Sequence, residues 1–264
     1  MKQHVRPRWW WARARRQPGK LVKRRAPRLH SWWRRRVRRG RKVVRNASLR
    51  ATVGQRDRLR LRSAGALAPL REFSHARPRD AIPPDYSDLW FLYREVRRRR
   101  PTTVLEFGSG CSTVVLAFAL HQNGNGHLWS LDAEAAWAEA TTVALPEAVR
   151  PLVTVVYAPV REDDRDVRGW SYSNIPDVDP DFVYLDGPAL TPDRKVAFDV
   201  LDLQSRLKPG CIVVVDGRGA NVRYLEARLT REHTLTIMPP WRSIFEFGAS
   251  NRQPLRAPRV GASG

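Results

Sequence analysis

The sequence predicts an α/β fold in which a mostly parallel sheet is covered by helices on both faces and is preceded by a long basic segment. From residue 78 onward, short apolar runs such as "TTVLEFG" and "CIVVVDG" alternate with longer segments of helical period such as "STVVLAFALHQ". This alternation is typical of β-α-β crossovers, whose strands are buried on both faces. Charge marks the basic segment, because residues 1–50 hold 20 of the 48 Lys and Arg residues and no Asp or Glu.

The basic segment, residues 1–75, is predicted to be a largely disordered arm rich in Arg and Trp, since too few aliphatic residues recur at a regular spacing to bury a face. It holds five of the ten tryptophans: Trp9, Trp10, Trp11, Trp32 and Trp33. Arginine interleaved with tryptophan suits a nucleic acid, through phosphate contacts and base stacking. It equally suits an anionic membrane surface, where indoles settle among the headgroups. An organelle transit peptide and an extension without function are further alternatives.

Residues 76–250 are predicted to form the single domain, and residues 251–264 a flexible tail. The net charge of +22 belongs to the arm, because residues 51–264 carry 28 basic and 26 acidic side chains. The sequence contains no run of about 18 apolar residues that would span a membrane, and the arm lacks the apolar core of a secretory signal. We therefore expect a cytoplasmic protein, with peripheral attachment to a membrane surface as an option for the arm.

The domain begins with a helix and continues as alternating strands and helices. The segment "YSDLWFLYREVRRRR" predicts the helix, which ends before Pro101. Strand-like and helix-like segments then alternate, in the order "TTVLEFG", "STVVLAFALHQ", "HLWSLD", "AEAAWAEATTVAL", "VTVVYAPV", "DFVYLDG", "TPDRKVAFDVLDLQSRL", "CIVVVDG", "NVRYLEARLTRE", "HTLTIMPP" and "RSIFEFG". "MPPW", residues 238–241, is interpreted as a turn.

The first strand, loop and helix, "VLEFGSGCST", form the candidate ligand site, because ligands of such sheets bind beyond the carboxyl ends of the strands. Gly108 and Gly110 permit a tight turn and a close approach of the ligand to the backbone; the alternative is a purely structural turn. A dinucleotide fingerprint would need a third glycine where Thr113 stands. Glu106 would repel a phosphate by about 1 kcal/mol or more, but it suits a ligand with an amino group and a sulfonium.

A second acid, Asp132, ends the next strand. An acidic side chain at this position accepts hydrogen bonds from both ribose hydroxyls of a bound nucleoside. The alternative is that Asp132 only caps the helix that follows. Together with the glycine loop and Glu106, Asp132 indicates a nucleoside that carries a positive charge.

These motifs, together with "DFVYLDG" as the fourth strand and "LKPGCIVVVDG" as the fifth, resemble the class I S-adenosylmethionine-dependent methyltransferases over residues 84 to about 248. The resemblance implies a Rossmann-like, seven-stranded, mostly parallel sheet whose last two segments form an antiparallel hairpin at one edge.

The resemblance also implies roles for individual residues. The glycine loop is expected to lie under the methionine part of S-adenosyl-L-methionine, the first-strand acid to serve its amino group, and the second-strand acid to hold the ribose. The expected cofactor-binding residues are Glu106, Gly108, Ser109, Gly110, Ser112, Asp132 and Asp186.

The predicted catalytic residue is Asp186, which follows the fourth strand. Asp216 follows the fifth strand, and two carboxylates at neighbouring strand ends are able to hold a hard cation such as Mg²⁺. This arrangement is similar to metal-dependent O-methyltransferases, in which the cation orients the substrate hydroxyl. Those enzymes usually follow the second aspartate with Asn or Asp, whereas Gly217 and Arg218 stand here. Asn221 as a third ligand, and Arg218 as a cation that neutralises the acids, remain alternatives.

The sequence therefore predicts a class I methyltransferase that acts on oxygen of a small molecule or glycan. One alternative is an RNA methyltransferase that uses the arm to bind its substrate. Another is a nonenzymatic protein that binds RNA or membranes and retains the fold with a degenerate site. Trp170 and Tyr172 are predicted to lie in the connection between the third and fourth strands, where they either stack on the ligand or pack the loop.

Overall fold

The computed structural model describes residues 52–77, 83–238 and 242–248. The predictions for residues 1–51 of the arm, for the tail, and for Pro239, Pro240 and Trp241 therefore lie outside the described residues. The chain divides into two compact units at Val53 and Gly54. The sheet and the helices that cover it belong to the second unit, Gly54–Gly264.

The second unit alternates strands and helices as the sequence predicts. Its strands are β1 (Thr103–Phe107), β2 (His127–Asp132), β3 (Val153–Tyr157), β4 (Val160–Asp164), β5 (Arg168–Tyr172), β6 (Phe182–Leu185), β7 (Ile212–Asp216), β8 (His233–Met238) and β9 (Arg242–Phe247). The described helices are α1 (residues 52–63, of which 54–63 belong to the second unit), α2 (Leu67–Ala76), α3 (Tyr86–Arg99), α4 (Cys111–Asn123), α5 (Ala135–Ala144), α6 (Asp199–Leu203) and α7 (Gly219–Arg228). A 3₁₀ turn, Arg150–Leu152, precedes β3. Among these described helices, none is both long enough and apolar enough to cross a bilayer.

Seven strands form one sheet in the order β3-β2-β1-β6-β7-β9-β8. The first five of these strands run parallel to one another, whereas β9 runs antiparallel to both β7 and β8. The predicted mostly parallel sheet with an antiparallel hairpin at its edge is thereby confirmed. The chain moves outward from β1 in one direction and then returns through β6 in the other. The crevice where this order reverses, between the ends of β1 and β6, is where such sheets bind ligands.

The central strands alternate their side chains between two cores, because successive residues of a strand point to opposite faces of the sheet. On β6, Phe182 and Tyr184 belong to the core beneath α3 and α4, and Val183 and Leu185 belong to the opposite core. The same alternation on β1 directs Glu106 to the face that α4 covers.

The predicted boundary at residue 75 is wrong for the part of the arm that the structure describes. Helices α1 and α2 pack into the domain, where Leu61, Leu67, Leu70 and Phe73 are at most 4% exposed. They join the core on the α4 side of the sheet. Residues 54–75 are thus part of the domain and do not belong to a disordered arm.

The segments between β3 and β7 also differ from the prediction. Part of the predicted long connection is a separate antiparallel pair, β4 and β5. The long helix expected after β6 shrinks to α6, because the preceding chain is extended at Ala197. The side-chain amide of Asn221 accepts from the Ala197 amide at 2.7 Å and donates to its carbonyl at 3.0 Å, which replaces helical hydrogen bonds.

Candidate functional site

A cavity of about 560 Å³ opens at the carboxyl ends of the parallel strands. It extends across four neighbouring strand ends, from Asp132 on β2, past the glycine loop after β1, to Asp186 after β6 and Asp216 on β7. Since neighbouring strands lie about 4.8 Å apart, this row of backbones spans roughly 14 Å. Among the predicted site residues, those that line the cavity are Gly108, Ser109, Gly110, Ser112, Asp132, Asp186 and Asp216, whereas Glu106 does not.

One glycine of the cavity lining, Gly108, lies against Gly187 at the point where the strand order reverses. Gly108 has a φ of +100°, and a Cβ placed on it would lie 2.9 Å from the backbone nitrogen of Gly187. The amides of Gly108 and Gly187 donate to the carbonyls of Leu131 and Phe107, respectively, at 2.8 and 2.5 Å. A side chain at either glycine would force the two loops apart, which explains why the chain uses glycine here.

Glu106 is fully buried beneath the glycine loop. Its Oε2 accepts from the Thr113 and Ser130 hydroxyls, both at 2.6 Å. Thr113 Oγ1 in turn accepts from the Gly110 amide at 2.8 Å, which connects the carboxylate to the loop. Oε1 makes no hydrogen bond within the described residues. Because Glu106 does not line the cavity, its part in the site is to hold the glycine loop through Thr113.

The pKa of Glu106 is raised to about 7 because burial disfavours its charge, although nearby Ser112, Ser130 and Thr113 hydroxyls oppose the rise. Between the ordinary pKa of 4.5 and this value, the folded protein binds more protons than the unfolded chain, so its stability falls as the pH rises. Glu106→Gln cannot ionise at this position. We therefore expect its unfolding free energy, measured relative to that of the ligand-free wild type, to be roughly 1 to 3 kcal/mol higher at pH 8 than at pH 5.

Urea unfolding of both ligand-free proteins at the two pH values measures this gain. The other buried acids are present in both proteins, so their contributions cancel in the difference. An equal difference at pH 5 and pH 8 would show that Glu106 does not titrate in this range.

Asp132 connects β2 to the glycine loop. Its Oδ2 accepts from the Ser109 amide at 3.1 Å and from the Ser109 hydroxyl at 2.5 Å, and its Oδ1 accepts from the Glu134 amide at 3.0 Å. The residue at the N-cap of α5 is Glu134. Asp132 therefore orders the loop and the turn before α5, and its carboxylate still lines the cavity.

The opposite end of the cavity is acidic. Asp186, Asp216 and Asp88 of α3 all line the cavity there, and Asp88 is 7% exposed. Burial, followed by the charge of Asp216, raises the pKa of Asp88 to about 7; burial, followed by the charge of Asp186, raises the pKa of Asp216 to about 6. Asp186 is exposed to the cavity, yet desolvation still raises its pKa.

Two oxygens at this acidic end have no hydrogen-bond donor among the described residues, Asp88 Oδ1 and Asp216 Oδ1. Arg242 Nη1 lies 3.2 Å from Asp88 Oδ1, but it directs its hydrogen bond to the carbonyl of Ser87 at 2.8 Å. A ligand that enters this end therefore meets carboxylate acceptors.

The described residues do not fit the predicted metal site. No three or more His, Cys, Asp or Glu side chains in the described ranges are grouped so as to hold an ion. Asn221, the alternative third ligand, is fully buried and engaged with Ala197. Arg218 approaches the acids, but it donates to the backbone carbonyls of Asp186 and Pro188 and not to a carboxylate. Asp88, the third carboxylate at this end of the cavity, does not form such a group with Asp186 and Asp216.

Several cavity residues were not predicted from the sequence. Trp137 of α5 and Phe73 of α2 line the cavity, whereas Trp170 and Tyr172 are not among the lining residues. Tyr172 packs against Phe107 with ring centroids 5.3 Å apart, which favours loop packing over ligand stacking. Trp137 lies at the Asp132 end, in the helix "AAWAEATTVA", whose tryptophan is the one signal that a sequence search could have used.

The cavity wall carries far more negative than positive charge. The lining acids are Asp85, Asp88, Asp132, Glu134, Asp186 and Asp216, and Arg77 is the one basic residue among the described lining side chains. A ligand with net positive charge is therefore favoured, and a polyphosphate would meet repulsion along most of the wall.

Part of this chain is similar to known methyltransferases. Residues 105–217 match the family model of a methyltransferase domain. An O-methyltransferase from Bacillus cereus in complex with SAH has a TM-score of 0.47 and 16% identity, covering 69% of this chain and 90% of that one. An O-methyltransferase of tomaymycin synthesis from Streptomyces achromogenes, in complex with SAM, has a TM-score of 0.44 and 20% identity, covering 69% of this chain and 89% of that one. An SAH-bound methyltransferase from Podospora anserina has a TM-score of 0.48 and 15% identity, covering 69% of this chain and 87% of that one. No curated protein sequence matches the chain significantly.

Proposed function

We propose that the chain is a class I S-adenosylmethionine-dependent methyltransferase that transfers the methyl group of S-adenosyl-L-methionine to an oxygen atom of a small molecule or glycan. The match of residues 105–217 to a methyltransferase domain supports this proposal. The observation that carries the proposal is the division of one cavity into two ends. One end has a glycine loop and Asp132, and the other has three carboxylates from Asp88, Asp186 and Asp216.

The first end suits the cofactor. Gly108 lets a ligand approach the backbone of the loop, Asp132 is placed to accept from ribose hydroxyls, and the buried Glu106 holds the loop through Thr113. The positive charge of the cofactor offsets the acidic wall. The bound cofactor supplies the electrophilic methyl group.

The second end suits a hydroxyl acceptor. Asp88 Oδ1 and Asp216 Oδ1, which have no hydrogen-bond donor among the described residues, accept the hydrogen bond of a hydroxyl and thereby orient its oxygen. As the oxygen gains the methyl group, its proton passes to a carboxylate, for which Asp186, exposed to the cavity, is the proposed recipient. The proton taken up by Asp186 would balance the positive charge that the cofactor loses on methyl transfer.

Asp132→Ala should weaken S-adenosylmethionine binding by about 2 to 3 kcal/mol while the fold remains intact, because two hydrogen bonds to a charged acceptor are lost in a partly buried site. Titration calorimetry with S-adenosylmethionine and S-adenosylhomocysteine measures the loss, and a thermal melt checks the fold. Ser109→Ala is the matched control, since it removes the 2.5 Å hydrogen bond to Asp132 and leaves the carboxylate in place. If both variants bind equally weakly, Asp132 acts through the loop and not through the ribose.

The acceptor class is tested by methyl labelling. The protein is incubated with methyl-labelled S-adenosylmethionine and cell extract, and the extract is then separated into small molecules, glycans, RNA and protein. The proposal expects label in the small-molecule or glycan fraction, and none with Asp132→Ala. Label in RNA would favour the alternative of an RNA methyltransferase, for which the basic arm is the supporting feature. A wild type that binds neither cofactor nor product would favour the nonenzymatic alternative.

For the arm we propose an electrostatic role separate from transfer. Residues 1–50 carry 20 basic and no acidic side chains, and a polyanion that binds them releases counterions, so binding should weaken steeply with salt. Adsorption to anionic vesicles and to RNA, with and without residues 1–50, tests this role. A blue shift of tryptophan fluorescence on vesicles but not on RNA would favour a membrane partner.

A further inference from the structure

The acidic end of the cavity holds more carboxylates than the guanidiniums beside it offset. Asp88 of α3, Asp186 after β6 and Asp216 on β7 line this end together. Arg242 Nη1 lies 3.2 Å from Asp88 Oδ1, and the guanidinium of Arg218 donates to the backbone carbonyl of Asp186. Neither arginine is among the residues that line the cavity. Two guanidiniums thus approach three carboxylates, so negative charge remains at this end when the acids are ionised.

The acids at this end also act on one another. Burial, followed by the charges of Asp216 and Asp85, raises the pKa of Asp88 to about 7. Burial, followed by the charge of Asp186, raises the pKa of Asp216 to about 6. The charge of Arg242 opposes both pKa increases without cancelling them. Negative charge is therefore disfavoured here by burial and by like charges, and a cationic ligand would relieve both effects.

Asp88 adds an independent observation, a buried acceptor without a donor. The residue is 7% exposed and lines the cavity, and its Oδ1 has no hydrogen-bond donor among the described residues. Arg242 approaches this oxygen but directs its hydrogen bond to the Ser87 carbonyl. Because a buried carboxylate oxygen normally has a donor, Asp88 is suited to accept one from a ligand. A charged donor forms the stronger hydrogen bond with a carboxylate.

The charge of this end indicates what the methyl acceptor carries besides its hydroxyl, an inference that rests on the proposed function. The cofactor alone does not neutralise the six acids of the cavity wall. A protonated amine brings a positive charge and several N–H donors, whereas a neutral hydroxyl brings no charge. We propose that the acceptor carries a protonated amino group beside the hydroxyl that is methylated, as in an amino sugar or another amino alcohol, and that Asp88 binds this group. A carboxylate oxygen has two lone pairs, so Asp88 Oδ1 is able to accept from the ammonium and from the hydroxyl together.

The charge of the methylated compounds tests the proposal with the full-length protein. The small-molecule and glycan fractions of a cell extract are separated on a cation exchanger at neutral pH, and each part is incubated with methyl-labelled S-adenosylmethionine. The part retained by the exchanger should take up roughly tenfold more label than the neutral and anionic parts. Acetylation of the amines removes their positive charge and leaves the hydroxyls, so it should abolish the labelling. Mass spectrometry of the product should place the methyl group on oxygen.

The variant Asp88→Asn connects this selection to one residue, because it keeps the side-chain oxygen and removes the charge. With the retained part diluted so that the rate reports kcat/KM, labelling should fall roughly ten- to hundredfold. Calorimetry with S-adenosylhomocysteine should give an affinity within about twofold of the wild type, and a thermal melt checks the fold. Glu139→Gln, which replaces an exposed acid of α5 outside the cavity lining, is the matched control and should change neither value.

The outcomes separate this inference from the proposed function. If no part of the extract is labelled, or if the methyl group lies on nitrogen, the proposed function fails and the inference fails with it. If oxygen is methylated mainly in the neutral or anionic part, the proposed function stands and the inference is overturned. It is also overturned if acetylation leaves the labelling unchanged, or if Asp88→Asn behaves like Glu139→Gln. A variant Asp88→Asn that is folded but loses S-adenosylhomocysteine would assign Asp88 to the cofactor and overturn the inference as well.

Discussion

Deleting residues 1–77 should leave the remaining chain unable to fold, whereas deleting residues 1–50 should leave the melting temperature nearly unchanged. The difference arises from α1 and α2, which the shorter deletion retains. Each fully buried side chain such as Leu70 or Phe73 stabilises a protein by about 1.5 to 3 kcal/mol, and a whole domain is stable by only about 5 to 15 kcal/mol. The longer deletion also exposes the apolar surface of α4, which packs against α2 in one core.

Circular dichroism melts of the two truncated proteins measure this difference. Point variants of the full chain refine it: Leu70→Ala, at a site 1% exposed, should lower the unfolding free energy by about 2 to 5 kcal/mol. Leu59→Ala, at a site 61% exposed on α1, should change it by less than about 0.5 kcal/mol. A fully folded product of the longer deletion would mean that α1 and α2 are dispensable additions to the domain.

The sequence reveals the strands of the sheet more clearly than α2, because the strands are buried on both faces and α2 is buried along one stripe. Strands buried on both faces show themselves as continuous apolar runs, so β1, β6 and β7 are evident in "VLEF", "FVYL" and "IVVVD". Helix α2 offers only a narrow stripe of buried apolar residues, Leu67, Leu70 and Phe73, in a segment that also contains charged, polar and small residues. That stripe suffices because its partner α4 is buried over most of its surface. The property that stabilises α2 thus lies some 40 residues away in the chain, where a local pattern does not reveal it.

Some features of the candidate site follow from the sequence, and others depend on how the helices pack. Acids at the ends of parallel strands meet at one edge, so the proximity of Asp132 and Asp186 to the glycine loop follows from the strand pattern and the fold. The partners of Glu106 do not, because Thr113 and Ser130 meet it only once β2 and α4 are packed. Asp88 and Arg77 come from helices that precede β1, and their approach to the cavity depends on how those helices cross the sheet.

Gly187→Ala should destabilise the protein by about 1 to 3 kcal/mol or more and strongly weaken cofactor binding, because the added methyl group has no room between the loops that follow β1 and β6. A Cβ at this position would overlap Tyr172 Oη and would lie 2.9 Å from both Cα and N of Gly108. Backbone atoms on one side and a side chain 4% exposed on the other cannot move aside cheaply. The loop after β1 must shift, and with it the surface on which the cofactor is proposed to lie.

The two contacts of the added methyl group can be separated by a second substitution. Tyr172→Phe removes the overlapping hydroxyl but leaves the Gly108 backbone in place, so the double variant should recover part of the stability lost by Gly187→Ala. The matched control is Gly54→Ala in α1, where a Cβ meets no atom within 4 Å; alanine there should be neutral or stabilise the helix by about 0.5 to 1 kcal/mol. Urea unfolding and calorimetry with S-adenosylhomocysteine measure both effects. If Gly187→Ala behaves like Gly54→Ala, the two loops are not in close contact in solution. If Tyr172→Phe brings no recovery, the Gly108 backbone alone accounts for the strain, and the β1 loop is then the element whose displacement weakens the cofactor site.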